Sequence, residues 1–138
     1  MRHFDYAFDV NNTYISKPRL RLNIIENKPF IAAGVNVTPI QVMHAQMPVV
    51  GFRIDDFTYI TDANYIASAE KEKIKGSKIV VLNALRWHKH PSHFNIEEAI
   101  ALINELQPEK AYFTHITHQL GLHAEVSKKL PPDIELAY

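Results

Sequence analysis

The sequence predicts an α/β domain: a mixed sheet with helices packed on it. Three observations predict this. The first half is a series of β-branched and aromatic runs separated by turn residues. The second half alternates strand and helix. The stretch "NIEEAIALINELQP" (95–108) carries both a helix start signal and a single apolar face. Strand followed by helix, three times over, implies crossover connections and helices covering a sheet face.

The elements follow in order. "RLRLNIIE" (19–26) alternates weakly and reads as a first strand. "VNVTPIQVMH" (35–44) and "PVVGFRID" (48–55) are β-rich runs joined through "AQM", which predicts a hairpin. "FTYITDA" (57–63) follows the Asp55-Asp56 turn signal and ends near an aspartate, Asp62. "IASAEKEKIKG" (66–76) suits a short helix closed by Gly76. "KIVVLNA" (78–84) is a buried strand. In 95–108, Asn95 is a good N-cap and Glu98 stands three residues on, a capping-box spacing. Ile96, Ala99, Ile100, Ile103 and Leu106 share one helical face. "KAYFTHI" (110–116) is a strand, "LHAEVSKKL" (122–130) a helix, and "IELAY" (134–138) a last strand.

Composition narrows the function classes. The 138 residues suit one domain, and 46% hydrophobic content allows a sizeable core. Fifteen basic residues balance fifteen acidic ones. That leaves no electrostatic footprint for nucleic acid and no basic tract for a membrane surface. Cysteine is absent, which excludes disulfides and thiolate metal ligands. No apolar run approaches spanning length, and "MRHFDYAFDV" holds no apolar signal segment, so a soluble cytoplasmic protein is the expectation. Eight histidines are a mild excess for this length.

Several polar residues fall at strand ends. His44 closes one strand and Asp62 another; His115 and His118 follow a third, in "YFTHITHQLG". His93 lies between the 78–84 strand and the 95–108 helix, in "RWHKHPSH" (86–93). Loops along one sheet edge are where α/β folds assemble sites. Imidazole and carboxylate are ligand types for zinc, manganese or iron. Taken singly, a histidine is more often a surface or hydrogen-bonded residue, and a strand-ending aspartate a turn former. Their joint order carries the signal.

That order resembles the metallo-β-lactamase superfamily. The resemblance rests on "VTPIQVMHAQMPVVGFRIDDFTYITDA", "HPSHFNIEEAIALI", "KAYFTHITHQLG" and "LPPDIELAY", and covers roughly residues 30–138. It is nearest the branch containing the cyclic phosphodiesterase of phosphonate breakdown, and more distantly resembles the tRNA 3′-processing ribonucleases. The resemblance implies an αββα sandwich with two divalent metals, zinc or manganese. By it, His44 would bind the first metal, Asp62 would bridge the two, and His115 would bind the second. His93 would be a catalytic non-ligand histidine near the leaving group. His118 matches a further histidine of the branch's closing motif, with no role implied. Within "RWHKHPSH", Lys89 and Pro91 place His88 and His90 in an exposed loop.

The family's opening motif, H-x-H-x-D-H, supplies four ligands. The near match here is "HKHPSH" (88–93), with Ser92 at the aspartate position. Serine cannot replace a carboxylate ligand, and His44 and Asp62 precede it where the motif should come first. The sequence therefore predicts one partial domain over 1–138, lacking the half that carries this motif. It predicts metal that is weak or absent in this chain, and an apolar face that drives homo-oligomer formation. The expected activity is hydrolysis of a small phosphodiester, with no membrane partner and no nucleic-acid substrate. Two alternatives stand beside it: a non-catalytic homodimeric remnant and a tRNA 3′-processing-type nuclease.

Overall fold

The computed structural model describes residues 20–137. Seven strands form one sheet in chain order: β1 (Phe30–Ala32), β2 (Val35–His44), β3 (Met47–Ile54), β4 (Phe57–Ile60), β5 (Ile79–Asn83), β6 (Lys110–Thr114) and β7 (Ile134–Leu136). β1 to β4 pair antiparallel through tight turns, and β4 to β7 pair parallel. Each parallel step needs a crossover. Three helices supply them: α1 (Ser68–Ile74), α2 (Ile96–Leu106) and α3 (His123–Ser127). The α/β class with a mixed sheet is thus as the sequence predicts.

Register explains the core. Ile60 pairs with Leu82, Leu82 with Phe113, and Phe113 with Leu136, so these four side chains stand on one face of the sheet. Ile40 and Val42 of β2 join them, and Ile74, Ile96, Ala99, Ile103, Leu106 and Val126 of the helices close over the same cluster. Alternate positions face the other way. There Val50, Ile54, Phe57, Tyr59 and Ile79 each remain more than a third exposed.

The antiparallel edge is guarded by chemistry rather than by another strand. β1 pairs only with Val35, Asn36 and Val37 of β2. Beyond it, Pro39 brings no N–H to the open edge, and the Gln41 N–H donates to Glu70 Oε2 at 2.8 Å. Glu70 also accepts from Lys73 at 2.7 Å and from Asn27 at 3.0 Å, which ties α1 to the sheet. Burial pushes the Glu70 carboxyl up, but the bonds from Lys73, Asn27 and the Gln41 N–H, with the Lys73 charge, outweigh it and hold it below 4.5. A depressed folded-state value gives stability that is present above the unfolded value and lost as pH falls through the folded one. Denaturant midpoints should therefore show a gap between wild type and Glu70→Gln at pH 7 that narrows below about pH 4. A gap that widens in acid would contradict this.

α2 begins with the predicted capping box: Asn95 Oδ1 accepts from Glu98 N at 2.8 Å, and Glu98 Oε2 accepts from Asn95 N at 3.1 Å. Leu102 is buried on its inner face, while Ile100 lies only at the margin of the core. Gly76, at φ 79°, follows α1 as the closing glycine should.

Four expectations are corrected. Residues 20–26 form no strand, and Leu20, Leu22, Ile24 and Ile25 are exposed, Ile24 at 95%. A strand needs a partner edge, and these residues pair with none of the seven strands. β4 stops at Ile60 rather than 63, because Asp62 takes φ 56° and leaves the extended region. β6 stops at Thr114 because His115 takes the same conformation, also at φ 56°. The helix predicted over 122–130 holds five residues, with Pro131 and Pro132 soon after it. Arg19 and Tyr138, the ends of two expected strands, lie outside the described residues. No helix among the described residues is long and apolar enough to cross a membrane.

Candidate metal centre

Ala63 anchors the loop after β4. Its N–H donates to Asn83 Oδ1 at 2.8 Å, and its carbonyl accepts from Asn83 Nδ2 at 2.9 Å and from Phe94 N at 2.8 Å. Asn83 is fully buried at the end of β5. One residue on, Asn64 N–H donates to the Met43 carbonyl at 2.8 Å, and Asn64 Oδ1 accepts from Ala45 N at 2.9 Å. The loop carrying Asp62 is therefore stitched to the ends of β2 and β5 and to the start of α2. Asn83 escaped sequence reading. Its signal was an amide closing an otherwise apolar strand, "IVVLN".

This stitching brings four segments to one sheet edge. His93 Nε2 lies 3.0 Å from Asp62 Oδ1, and His115 Nε2 lies 3.2 Å from the same oxygen. The His93 and His115 rings stack with centroids 4.8 Å apart, and the His44 ring meets His93 edge-on at 4.7 Å. All four predicted site residues, His44, Asp62, His93 and His115, thus converge. They differ in exposure. The His93 side chain is 11% exposed, while Asp62 and His115 are nearly half exposed, so the centre opens to solvent on that side. Asp62 and His115 both hold left-handed backbone without being glycine, a strain that surrounding bonds must sustain.

The donor set fits a divalent metal, since imidazole and carboxylate are its ordinary ligand types. His44, Asp62 and His93 each place a donor atom within 4.8 Å of the others. This compact group contains His93, whereas the expected ligands were His44, Asp62 and His115.

The "RWHKHPSH" loop departs from expectation at one residue. His88 and Lys89 are exposed as predicted, but His90 is half-buried and turned inward. Its Nδ1 lies 3.0 Å from His93 Nδ1. Arg86 curls the loop by donating to the carbonyls of His88 and Lys89, at 3.4 and 3.2 Å, and so brings residue 90 back toward the site. Burial pushes the His90 imidazolium down, and repulsion from His93, Arg86 and His44 acts the same way. His118 opens a short 3-10 turn and is exposed.

Known proteins resemble this chain in sequence and in fold. The profile described as "Beta-lactamase superfamily domain" matches residues 1–116. An octanoyltransferase of Porphyromonas gingivalis (strain ATCC BAA-308 / W83) is 35% identical over 129 residues, covering 92% of this chain and 26% of that protein. The crystal structure of a diphosphatase from the PhnP family superposes with a TM-score of 0.80 at 32% identity, over 83% of this chain and 45% of that one. The metallo-beta-lactamase fold protein YhfI from Bacillus subtilis shares the fold, with a TM-score of 0.69 at 17% identity, over 84% of this chain and 52% of that one. The chain spans about a quarter of the octanoyltransferase and about half of the two solved structures.

Proposed function

Since this chain belongs to the beta-lactamase superfamily domain family, on its PhnP-like branch, we propose that it serves metal-dependent hydrolysis of a small phosphodiester. The carrying observation is the convergence of His44, Asp62, His93 and His115 from four separate segments. His44, Asp62 and His115 would hold the metals, zinc or manganese, through imidazole and carboxylate donors. When bound, the metals supply Lewis acidity at phosphorus and lower the pKa of an attacking water. His93 supplies the proton: its Nε2 faces the site and hands a proton to the departing oxygen. The balanced net charge favours a small substrate over a polynucleotide and a cytoplasmic setting over a membrane surface.

H-x-H-x-D-H occurs nowhere in the sequence, so His44, Asp62 and His115 would be the donors left to hold the metals. Zinc sites ordinarily use three or four protein ligands. Purified chain should hydrolyse a chromogenic phosphodiester weakly or not at all with added zinc or manganese. Fusing a segment that carries H-x-H-x-D-H should produce turnover that a chelator abolishes. Turnover that ignores the chelator, or none with the segment present, would sink the proposal. Robust chelator-sensitive turnover by the chain alone would show that its own ligands suffice.

We also propose that the apolar face bearing Val50, Phe57, Tyr59 and Ile79 packs against a second copy of this chain. Covering such surface releases roughly 25 cal/mol per Å². Light scattering at micromolar concentration should report a dimer, and Tyr59→Glu should shift it to monomer. A wild-type monomer would contradict the association.

A further inference from the structure

His93 and His115 stand on loops that leave the ends of two neighbouring strands, β5 and β6. Strand pairing aligns those strands as far as Asn83 and Thr114. Beyond it, three successive residues, Leu85, Arg86 and Trp87, hold the second loop bond by bond. The Leu85 carbonyl accepts from Thr117 N at 3.0 Å and from Thr117 Oγ1 at 3.2 Å. Arg86 Nη1 donates to Gln119 Oε1 at 2.8 Å. Trp87 Nε1 donates to the Leu120 carbonyl at 3.1 Å. The same run also holds the first loop. The Leu85 N–H donates to the Phe94 carbonyl at 2.9 Å, and the Arg86 carbonyl accepts from Ile96 N at 3.0 Å.

Arg86 is the residue of this run whose side chain bonds to both loops. Besides Gln119, its Nε and Nη2 donate to the carbonyls of His88 and Lys89, at 3.4 and 3.2 Å. A guanidinium is a rigid planar fork, so a bond on one prong fixes the direction of the others. The first loop runs on from Lys89 into His93, and Gln119 lies in the turn just after His115. Between them the two rings stack with centroids 4.8 Å apart. His115 is 43% exposed and holds left-handed backbone, so the chain that follows it must keep it in place. We infer that Arg86 is a positioning residue for the metal centre: its guanidinium locks the loop of His93 to the turn after His115 and so sets the spacing of the two rings. This rests on the hydrolytic reading above, in which one ring delivers a proton and the other holds metal. With Nε, Nη1 and Nη2 all bonded to protein oxygens, the guanidinium braces the loops instead of meeting substrate.

The test reads the rings in the chain itself and needs no turnover. At about pH 8, where free imidazole is neutral, histidine-labelled chain should show a nuclear Overhauser contact between the ring protons of His93 and His115. Gln119 is exposed, so Gln119→Leu removes its bond without touching the core. It should abolish the ring contact while the denaturant midpoint stays near wild type. Arg86→Lys keeps the charge but offers a single donor point, and should lose the contact too. Gln119→Glu keeps the acceptor and should retain it. A wild type without the ring contact would overturn the inference, whether or not a variant folds. So would a contact that survives Gln119→Leu or Arg86→Lys, or one lost in Gln119→Glu. In the fused preparation that turns over, Gln119→Leu should lower kcat by about 10–10²-fold with KM unchanged, the cost of misplacing a group by about 1 Å. An unchanged kcat there would overturn the inference as well. Failure of the hydrolytic reading shows differently, as no chelator-sensitive turnover while the ring contact still answers to Gln119→Leu.

Discussion

His93→Ala should lower phosphodiester turnover by about 10²–10⁴, the usual loss for a positioned general acid, and leave metal content at the wild-type level. The measurement pairs steady-state rates with elemental analysis in a preparation that turns over, such as the chain fused to an H-x-H-x-D-H segment. The argument is geometric. His93 is the most buried of the three histidines around Asp62, by side-chain exposure against His115 and by class against His44. Its backbone is fixed by the start of α2 and its Nδ1 by His90 and Ser92. A side chain held from both ends suits proton delivery to a defined point. His44→Ala should behave in the opposite way and reduce metal content. If His93→Ala strips the metal instead, the compact group His44, Asp62 and His93 is the true ligand set. His93 then leaves the acid role, and the leaving oxygen needs another donor.

The second large effect is expected at a residue far less conspicuous. Asn83→Ala should destabilise the fold by about 2–4 kcal/mol, combining an orphaned buried donor with a lost hydrogen bond to a carbonyl. The Ala63 N–H has Asn83 Oδ1 as its partner, while the Ala63 carbonyl keeps the Phe94 N–H. Asn83→Asp should restore the acceptor but set a carboxylate against the Ala63 carbonyl, and so recover only part of the loss. Chemical denaturation reads both. A loss below 0.5 kcal/mol for Asn83→Ala, roughly the surface-substitution range, would mean the Asp62 loop is held by its other bonds.

These two residues show where reading a sequence succeeds and where it stops. His93 was legible because a capped helix begins just after it, and caps are local chemistry: Asn95 and Glu98 are three residues apart and need no distant partner. β2 and β3 were legible because period and turn are also local. The segment 20–26 alternates too, yet it pairs with no strand, and pairing depends on parts of the chain far from it in sequence. β1 itself, at three residues, is too short to leave a period. Lysine and proline neighbours predict exposure for His90. Its inward turn depends on Arg86 gathering the loop carbonyls, a contact that composition does not encode. Asn83 left no period and no motif, since one amide at a strand end looks like any other turn former until Ala63 is seen beside it.

The left-handed backbone at Asp62 and His115 bears on how this fold could be redesigned. Glycine is the residue that such φ values favour, and at both positions it would relax the chain. It would also delete the two groups that meet at Asp62 Oδ1. A library selected for heat tolerance alone would therefore drift toward glycine at two residues of the proposed metal centre, and become sturdier as it lost their donor atoms. Selection for turnover would hold the opposite line. In this fold, thermal robustness and the proposed metal centre draw on the same two dihedral angles, and an engineer seeking both should look for stability at the opposite, exposed face of the sheet.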